Sequence, residues 1–250
     1  VALCDERSLA ERTREARAAA ERGDFAALDV ALSDPALAVR RAAGEGLARL
    51  GPAGLQRLLD AAQSESYRTQ QAARRGLRHV EPRTVVAAVK SVCALLKGKA
   101  DSPARELLHL GERLPEQTRG ELGWALARRE DGDREARLER ERDLRRLGTP
   151  ALDACVAHLG GGGGGADELR AALRGVAAFG SAAKTYEADV VALVANHPEP
   201  AIRALSDLGA WEELRRLAAR NEVQDTTLWV LGESERGRAL ALELALDPER

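Results

Sequence analysis

The sequence predicts an all-α protein, an α-solenoid of about six to seven stacked helical hairpins. Composition supplies two of the observations behind this and spacing the third. Of the 250 residues, 48 are Ala, 37 Leu and 34 Arg, and only 3% are aromatic. Ala, Leu and Arg lose little entropy in a helix, whereas the β-branched and aromatic residues that fill sheets are scarce. Hydrophobic residues at 44% and charged ones at 31% exclude a disordered chain. No apolar run approaches the roughly 20 residues that a membrane-crossing helix needs. Finally, helix-end signals recur at a regular interval along the chain, the mark of a repeat array.

The clearest copy opens at Asp34 and Pro35, the acid placed as a cap and the proline in the first helical turn. Val39, Ala43, Gly46, Leu47 and Leu50 follow at i, i+4, i+7, i+8 and i+11, one face of a helix that Gly51 closes. Helix ends are expected near Gly51, Val80, Gly111, Gly148, Gly180 and Gly209, at intervals of 29, 31, 37, 32 and 29 residues. A unit of that size holds two short helices. Neither buries its apolar face alone, so neighbouring units must stack. Residues 1–23 are therefore expected to form an N-terminal cap around a leading helix over 6–22. Residues 24–232 form the array, with hairpins over 24–51, 52–80, 82–114, 116–148, 149–180, 185–209 and 211–232. Residues 233–250 supply a capping helix, over 234–247, and a tail. In the third hairpin Val85, Val89, Val92, Cys93 and Leu96 repeat the same face.

The run from Asp34-Pro35 through Val39-Arg40 to Leu50-Gly51 resembles a HEAT repeat of the short bacterial type that also occurs in bilin lyases, best over residues 24–80. The resemblance implies that the second helix of each hairpin lines a concave surface on which other macromolecules bind. It also implies that the Arg after the valine or isoleucine, here Arg40 and Arg203, bonds to an Asp of a neighbouring repeat. Asp34 and Asp101 would be the partners in that internal ladder. Among families of this kind are two enzyme classes, the bilin lyases and, more distantly, alkylpurine DNA glycosylases. The glycosylases grip damaged DNA with tryptophans and a catalytic acid on a basic face. Of Trp124, Trp211 and Trp229 here, Trp229 sits within Leu228-Trp229-Val230-Leu231 and reads as core, while Trp211 opens a helix and reads as exposed.

A net charge of −2 argues against a dedicated nucleic-acid binder. The 34 Arg against 4 Lys read as a bacterial genome of high GC content. Off the apolar face of the second helices lie Arg41 and Glu45, then Gln71, Arg75 and Arg78, then His109 and Glu112, then Arg170 and Arg174, then Asp207. With Trp211, all but His109, Glu112, Arg170 and Asp207 make up the candidate partner-binding set. Arg forks onto carboxylates, so the expected partner is another protein, through an acidic surface or peptide. No catalytic residue, metal site or cofactor is expected. No nucleophile-elbow pattern occurs, and Cys155 and His158, at i and i+3, lack the two further ligands that a metal would need. Cys93 reads as core.

Residues 128–146 hold eight Arg and seven acids in 19 positions and read as one long solvated helix carried by i,i+4 ion pairs. Gly160 to Gly165 reads as a flexible loop, since no phosphate-loop Lys follows it. Cys4, Cys93 and Cys155 are an odd number without CxxC spacing, so reduced thiols and a cytoplasmic location are expected. Val1-Ala2-Leu3-Cys4 is similar to the end of a lipoprotein signal, although Leu3 is larger than such signals use. Export or lipid anchoring is therefore the alternative.

Overall fold

A computed structural model describes residues 8–98, 102–130, 133–160, 165–220, 222–233 and 235–245. Among these every regular element is a helix, and none is long and apolar enough to cross a membrane. The protein is an all-α stack of helical hairpins, divided into two compact units, Val1–Thr118 and Arg119–Arg250.

The first unit contains α1 (Leu9–Arg22), α2 (Phe25–Leu32), α3 (Leu37–Arg49), α4 (Gly51–Ala61), α5 (Tyr67–Leu77), α6 (Pro82–Ala87), α7 (Val89–Leu96) and a 3₁₀ helix at Pro103–Arg113. The unit boundary falls within α8 (Glu116–Ala127). Helices α1, α3 and α5 pack side by side in one layer, continued by the 3₁₀ helix, while α2, α4 and α6 cover the other side. Leu28, Leu32, Leu47, Leu55, Leu58, Leu59 and Leu77 fill the space between the layers, each fully buried. Burying a leucine stabilises a fold by about 1.5–3 kcal/mol.

The second unit contains α9 (Arg134–Leu147), α10 (Thr149–Ala157), α11 (Ala166–Ala177), a 3₁₀ turn at Gly180–Tyr186, α12 (Glu187–Ala192), α13 (Pro198–Leu208), α14 (Trp211–Ala218), α15 (Gln224–Gly232) and α16 (Glu235–Ala245). Helix α13 packs on both α11 and α15, making a layer of second helices, with α10, α12 and α14 as their hairpin partners. The core runs from Leu152 and Cys155 through Leu173, Ile202 and Leu205 to Leu214 and Leu231.

Local chemistry sets the helix ends. Ser8 and Glu11 form a reciprocal capping box at the start of α1, and Asp24, Ser66 and Asp133 cap α2, α5 and α9. Gly51, Gly111, Gly148, Gly180 and Gly209 all have positive φ, the left-handed region where a side chain is strained. The chain therefore turns at five of the six expected ends. At the sixth, α5 stops at Leu77 and Val80 is buried in the turn that follows.

Four local expectations are corrected. The side chain of Asp34 does not cap α3: it accepts the Ala36 N–H two residues on (2.7 Å), which holds Ala36 extended and delays the helix to Leu37. The apolar face from Val85 to Leu96 is broken at Ala88 into α6 and α7, leaving Val89 and Cys93 only half-buried. The second member of that hairpin is a 3₁₀ helix kinked at Gly111, where φ is 34°. The stretch 128–146 is not one solvated helix. Helix α8 ends at Ala127, α9 begins at Arg134, and Arg129, Arg140 and Asp143 are almost wholly buried, at 0%, 2% and 1% exposure. Residues 6 and 7 of the leading helix, Cys4, Asp101 and residues 161–164 of the glycine run lie outside the described residues.

Candidate functional site

In the first unit the layer of second helices carries Arg41 and Glu45 on α3, and Arg75 on α5 with Arg78 just after it. These four surround one shallow cavity of about 280 Å³, with Leu37 and His79 also on its wall. Gln71, half-buried on α5, is outside it. Arg41 Nε donates to Glu45 Oε1 at 2.8 Å, and His79 Nε2 lies 3.9 Å from the same oxygen. The Arg41 hydrogen bond, helped by the charges of Arg41, His79 and Arg49, holds the Glu45 carboxyl below its usual range against a smaller opposing effect of burial. Arg78 Nε donates to Glu106 Oε2 at 2.9 Å on the 3₁₀ helix. Of this group only Arg75 makes no ion pair among the described residues.

The second unit has a larger opening, a groove of about 710 Å³. Its walls are Arg137, Arg140 and Glu141 from α9, Arg170, Leu173 and Arg174 from α11, and Arg203 and Asp207 from α13. Helix periodicity explains the arrangement: 137 and 141, 170 and 174, and 203 and 207 are i,i+4 pairs that share a face. Arg137 Nη2 donates to Asp207 Oδ2 at 2.9 Å, an ion pair from α9 to α13 between residues 70 apart in sequence. Its Nε donates to Glu141 at 3.0 Å, and Glu141 also lies 3.6 Å from Arg145. Arg203 donates to Glu233 at 2.6 Å and approaches Glu199 at 3.5 Å. The Arg137–Asp207 pair and Arg203 also border a second compartment of about 350 Å³, reaching Val230 and Glu233. Burial by the groove walls pushes the Asp207 carboxyl above the ordinary aspartate range. Arg137 and Arg203 oppose this, and Glu141 and Glu233 add to it.

Arg174 makes no ion pair among the described residues; its Nε, like the Nε of several other arginines, is enclosed and has no hydrogen-bond partner. Beneath the groove Arg140 Nη1 donates to the Arg129 carbonyl and Arg129 Nη2 to the Ala136 carbonyl, at 3.4 and 2.8 Å. Arg137, Arg140 and Glu141 were not legible as site residues while 128–146 read as solvated. The signal available was the stripe Ala136, Arg140, Leu144 and Leu147, which keeps the apolar register of the other second helices with an Arg in place of one apolar residue.

The aromatic expectations are reversed. Trp211 opens α14, which is the hairpin partner of α15 and not a second helix, and is half-buried against the core of the second unit. Trp229 is 55% exposed, with the Arg203 guanidinium 5.3 Å above its ring. Trp124 stacks on His158 at 3.8 Å between ring centroids, with Arg128 near its ring. Cys155, beside that stack in sequence, is fully buried and its thiol is pushed up to about 12 by burial.

Of the ladder residues, Asp34 pairs with Arg12 of α1 at 2.8 Å. Arg40 folds back onto the Asp34 and Pro35 carbonyls, both at 2.7 Å, instead of crossing to a neighbouring hairpin, because one turn of helix puts it above the carbonyls of its own loop. Arg203 does cross to the next hairpin, to Glu233. Asp101 lies outside the described residues. A ladder exists that keeps Arg203 and otherwise has other members: Asp29–Arg57, Arg78–Glu106, Arg203–Glu233 and Arg215–Glu243 are 28, 28, 30 and 28 residues apart, close to one repeat.

No protein-family model and no curated protein matches the chain. Among solved structures, an engineered protein of the Northeast Structural Genomics Consortium is 18% identical with a TM-score of 0.34, over 88% of this chain and 97% of that one. A second engineered protein from the same consortium is 15% identical at 0.31, over 93% and 74%. A designed armadillo repeat protein in complex with the peptide (KR)4 is 15% identical at 0.26, over 97% and 95%.

Proposed function

We propose that the protein is a non-catalytic scaffold or adaptor, a HEAT-like repeat array whose layer of second helices holds a segment of another protein. The supporting observation is the 710 Å³ groove of the second unit, walled by side chains from three successive second helices and lined with arginines. Repeat arrays of this kind present extended surfaces built from one side chain per turn, suited to a long partner rather than a small substrate. The groove lining is mixed in sign, with five arginines against three acids, so an acidic protein segment is the favoured partner. Arg41, Glu45, Arg75 and Arg78 form a second, shallower contact area in the first unit. On this reading the protein works in the cytoplasm, where Cys93 and Cys155 remain thiols.

The reading is tested with a photo-crosslinking residue placed singly at Arg75, Arg174, Gln56 or Glu213, in nuclease-treated lysate of the source organism. One stoichiometric protein captured from 174 or 75, but not from 56 or 213 on the other layer, supports it. Capture only from 56 and 213, or no capture from any position, overturns it. Charge reversal of Arg75 and Arg78 then asks whether the first unit shares the partner. Binding to nucleic acid that falls steeply with salt would replace the scaffold by a nucleic-acid reader.

A further inference from the structure

Of the five arginines that line the second unit's groove, three are engaged by the chain's own carboxylates and Arg140 donates to the Arg129 carbonyl. Arg137 rests on Asp207 and Glu141, Arg203 on Glu233 and Glu199, and Arg170 on Asp167. Arg174, on the same face as Arg170 one turn away, has no such acid. Its Nε is sealed from solvent and has no acceptor. The guanidinium thus borders the groove with no counter-charge from the described residues, and a carboxylate brought into the groove by a partner would supply that charge. The surroundings are shaped for one. Leu173 and Ala177 on α11 and Ala204 on α13 give the groove an apolar floor beside the guanidinium, against which the methylenes of an acidic side chain can lie.

We propose that this groove is a carboxylate-recognition site, in which Arg174 anchors an Asp or Glu side chain of the partner segment and Asp207 occupies Arg137 as the chain's own substitute for a second one. The proposal rests on the scaffold reading and adds the chemistry that the partner must carry. Asp207 is suited to be a displaceable occupant. It is an acid from α13 reaching across to α9, not a member of the helix that carries Arg137, and Arg137 keeps Glu141 when Asp207 leaves. A partner with two acids then gains Arg174 first and competes with Asp207 for Arg137 second. Guanidinium geometry makes the site selective, because the fork matches a carboxylate in a way that an ammonium does not.

The test uses the full chain and a labelled oligo-glutamate peptide, followed by fluorescence anisotropy, with oligo-glutamine as the uncharged control. The expected result is that the glutamate peptide binds and the glutamine peptide binds at least about tenfold more weakly. Arg174→Gln should weaken the glutamate peptide about tenfold or more with no loss in melting temperature. Arg174→Lys, which keeps the charge and removes the fork, should recover only part of that loss. Asp207→Asn should tighten binding. Equal affinity of wild type and Arg174→Gln for the glutamate peptide overturns the proposal, as does failure of wild type to bind it at all. Either result leaves the scaffold reading standing if crosslinking from position 174 still captures a protein. Absence of capture removes the scaffold reading whatever the peptides do. Free succinate competing as strongly as the peptide would also overturn it, because the site would then read a small dicarboxylate instead of a protein segment.

Discussion

The two units are made from the same kind of hairpin and use it differently. In the first, second helices approach through glycine. A Cβ on Gly76 would stand 2.9 Å from the Gly44 carbonyl, and one on Gly46 would stand 2.6 Å from the Ala20 Cβ. Backbones meet there, and charge is left at the surface in local pairs such as Arg41–Glu45, whose arginine is 69% exposed. In the second unit the tightly packed glycines, Gly123 and Gly175, seat α10 instead, against Ala151 and Cys155. Charge is carried inward at Arg129, Arg140 and Asp143 and across the layer by Arg137–Asp207. The first unit carries openings of about 280 and 360 Å³, the second a groove of about 710 Å³. Close backbone contact leaves less room between second helices, whereas long arginine arms span a wider gap and keep it lined with polar groups.

The largest expected effect separates buried charge from surface charge. Arg129→Ala removes the donor to the Ala136 carbonyl and leaves a cavity, and should destabilise the chain by about 3 kcal/mol in urea unfolding. Arg41→Ala should cost less than about 0.5 kcal/mol. Similar losses for the two would erase the contrast.

Next is the glycine seam. Gly76→Ala forces the α3 and α5 backbones apart and should cost about 2 kcal/mol. Gly232→Ala, where nothing lies within 4 Å of the new Cβ, should be neutral or stabilise by up to about 1 kcal/mol. A harmless Gly76→Ala would show that the first unit does not depend on close approach.

Thiol reactivity compares the units through one cysteine each. With its thiol near 12, Cys155 should react with a disulfide reagent at pH 8 at least about tenfold more slowly than half-buried Cys93, in a chain carrying Cys4→Ser. Equal rates would mean that the second unit opens readily around α10.

The smallest effect is on pH dependence, where the units should differ in sign. Glu45 has a lowered native pKa, so its contribution is present above the ordinary glutamate value and is lost as pH falls through the native one. Asp207 has a raised native pKa, so the folded chain binds its proton more tightly than the unfolded chain does. Stability then falls as pH rises from the ordinary aspartate value through the native one. Glu45→Gln and Asp207→Asn should change the slope of stability against pH in opposite directions between about pH 3 and 6, read from urea midpoints in steps of pH. Slopes that change in the same direction would contradict the two environments.

Most of the fold is legible in the chain because helix ends are local events. A glycine that must take positive φ, as at Gly51, Gly148 and Gly209, marks a turn wherever the rest of the molecule lies. The site is less legible. Arg174 was reachable from periodicity, whereas Arg140 was not: counting charged residues as solvated hides an arginine whose stem packs inside and whose head finds the carbonyl of Arg129. The tryptophans mislead for a related reason. Leu228 to Leu231 is apolar throughout, yet one step along α15 turns a side chain by about 100°, so Val230 and Leu231 go inward and Trp229 goes out.

By itself, then, the sequence determined that this chain is helical and where most of its hairpins turn, because propensity and glycine φ act within a few residues. Tertiary packing alone decided which charges are buried, which carboxylate each arginine meets and which one is left open at Arg174. Those outcomes depend on side chains from hairpins as far as 70 residues away, as Arg137 and Asp207 are. The cost or gain of a charge is fixed by the groups brought around it, and no local pattern records them.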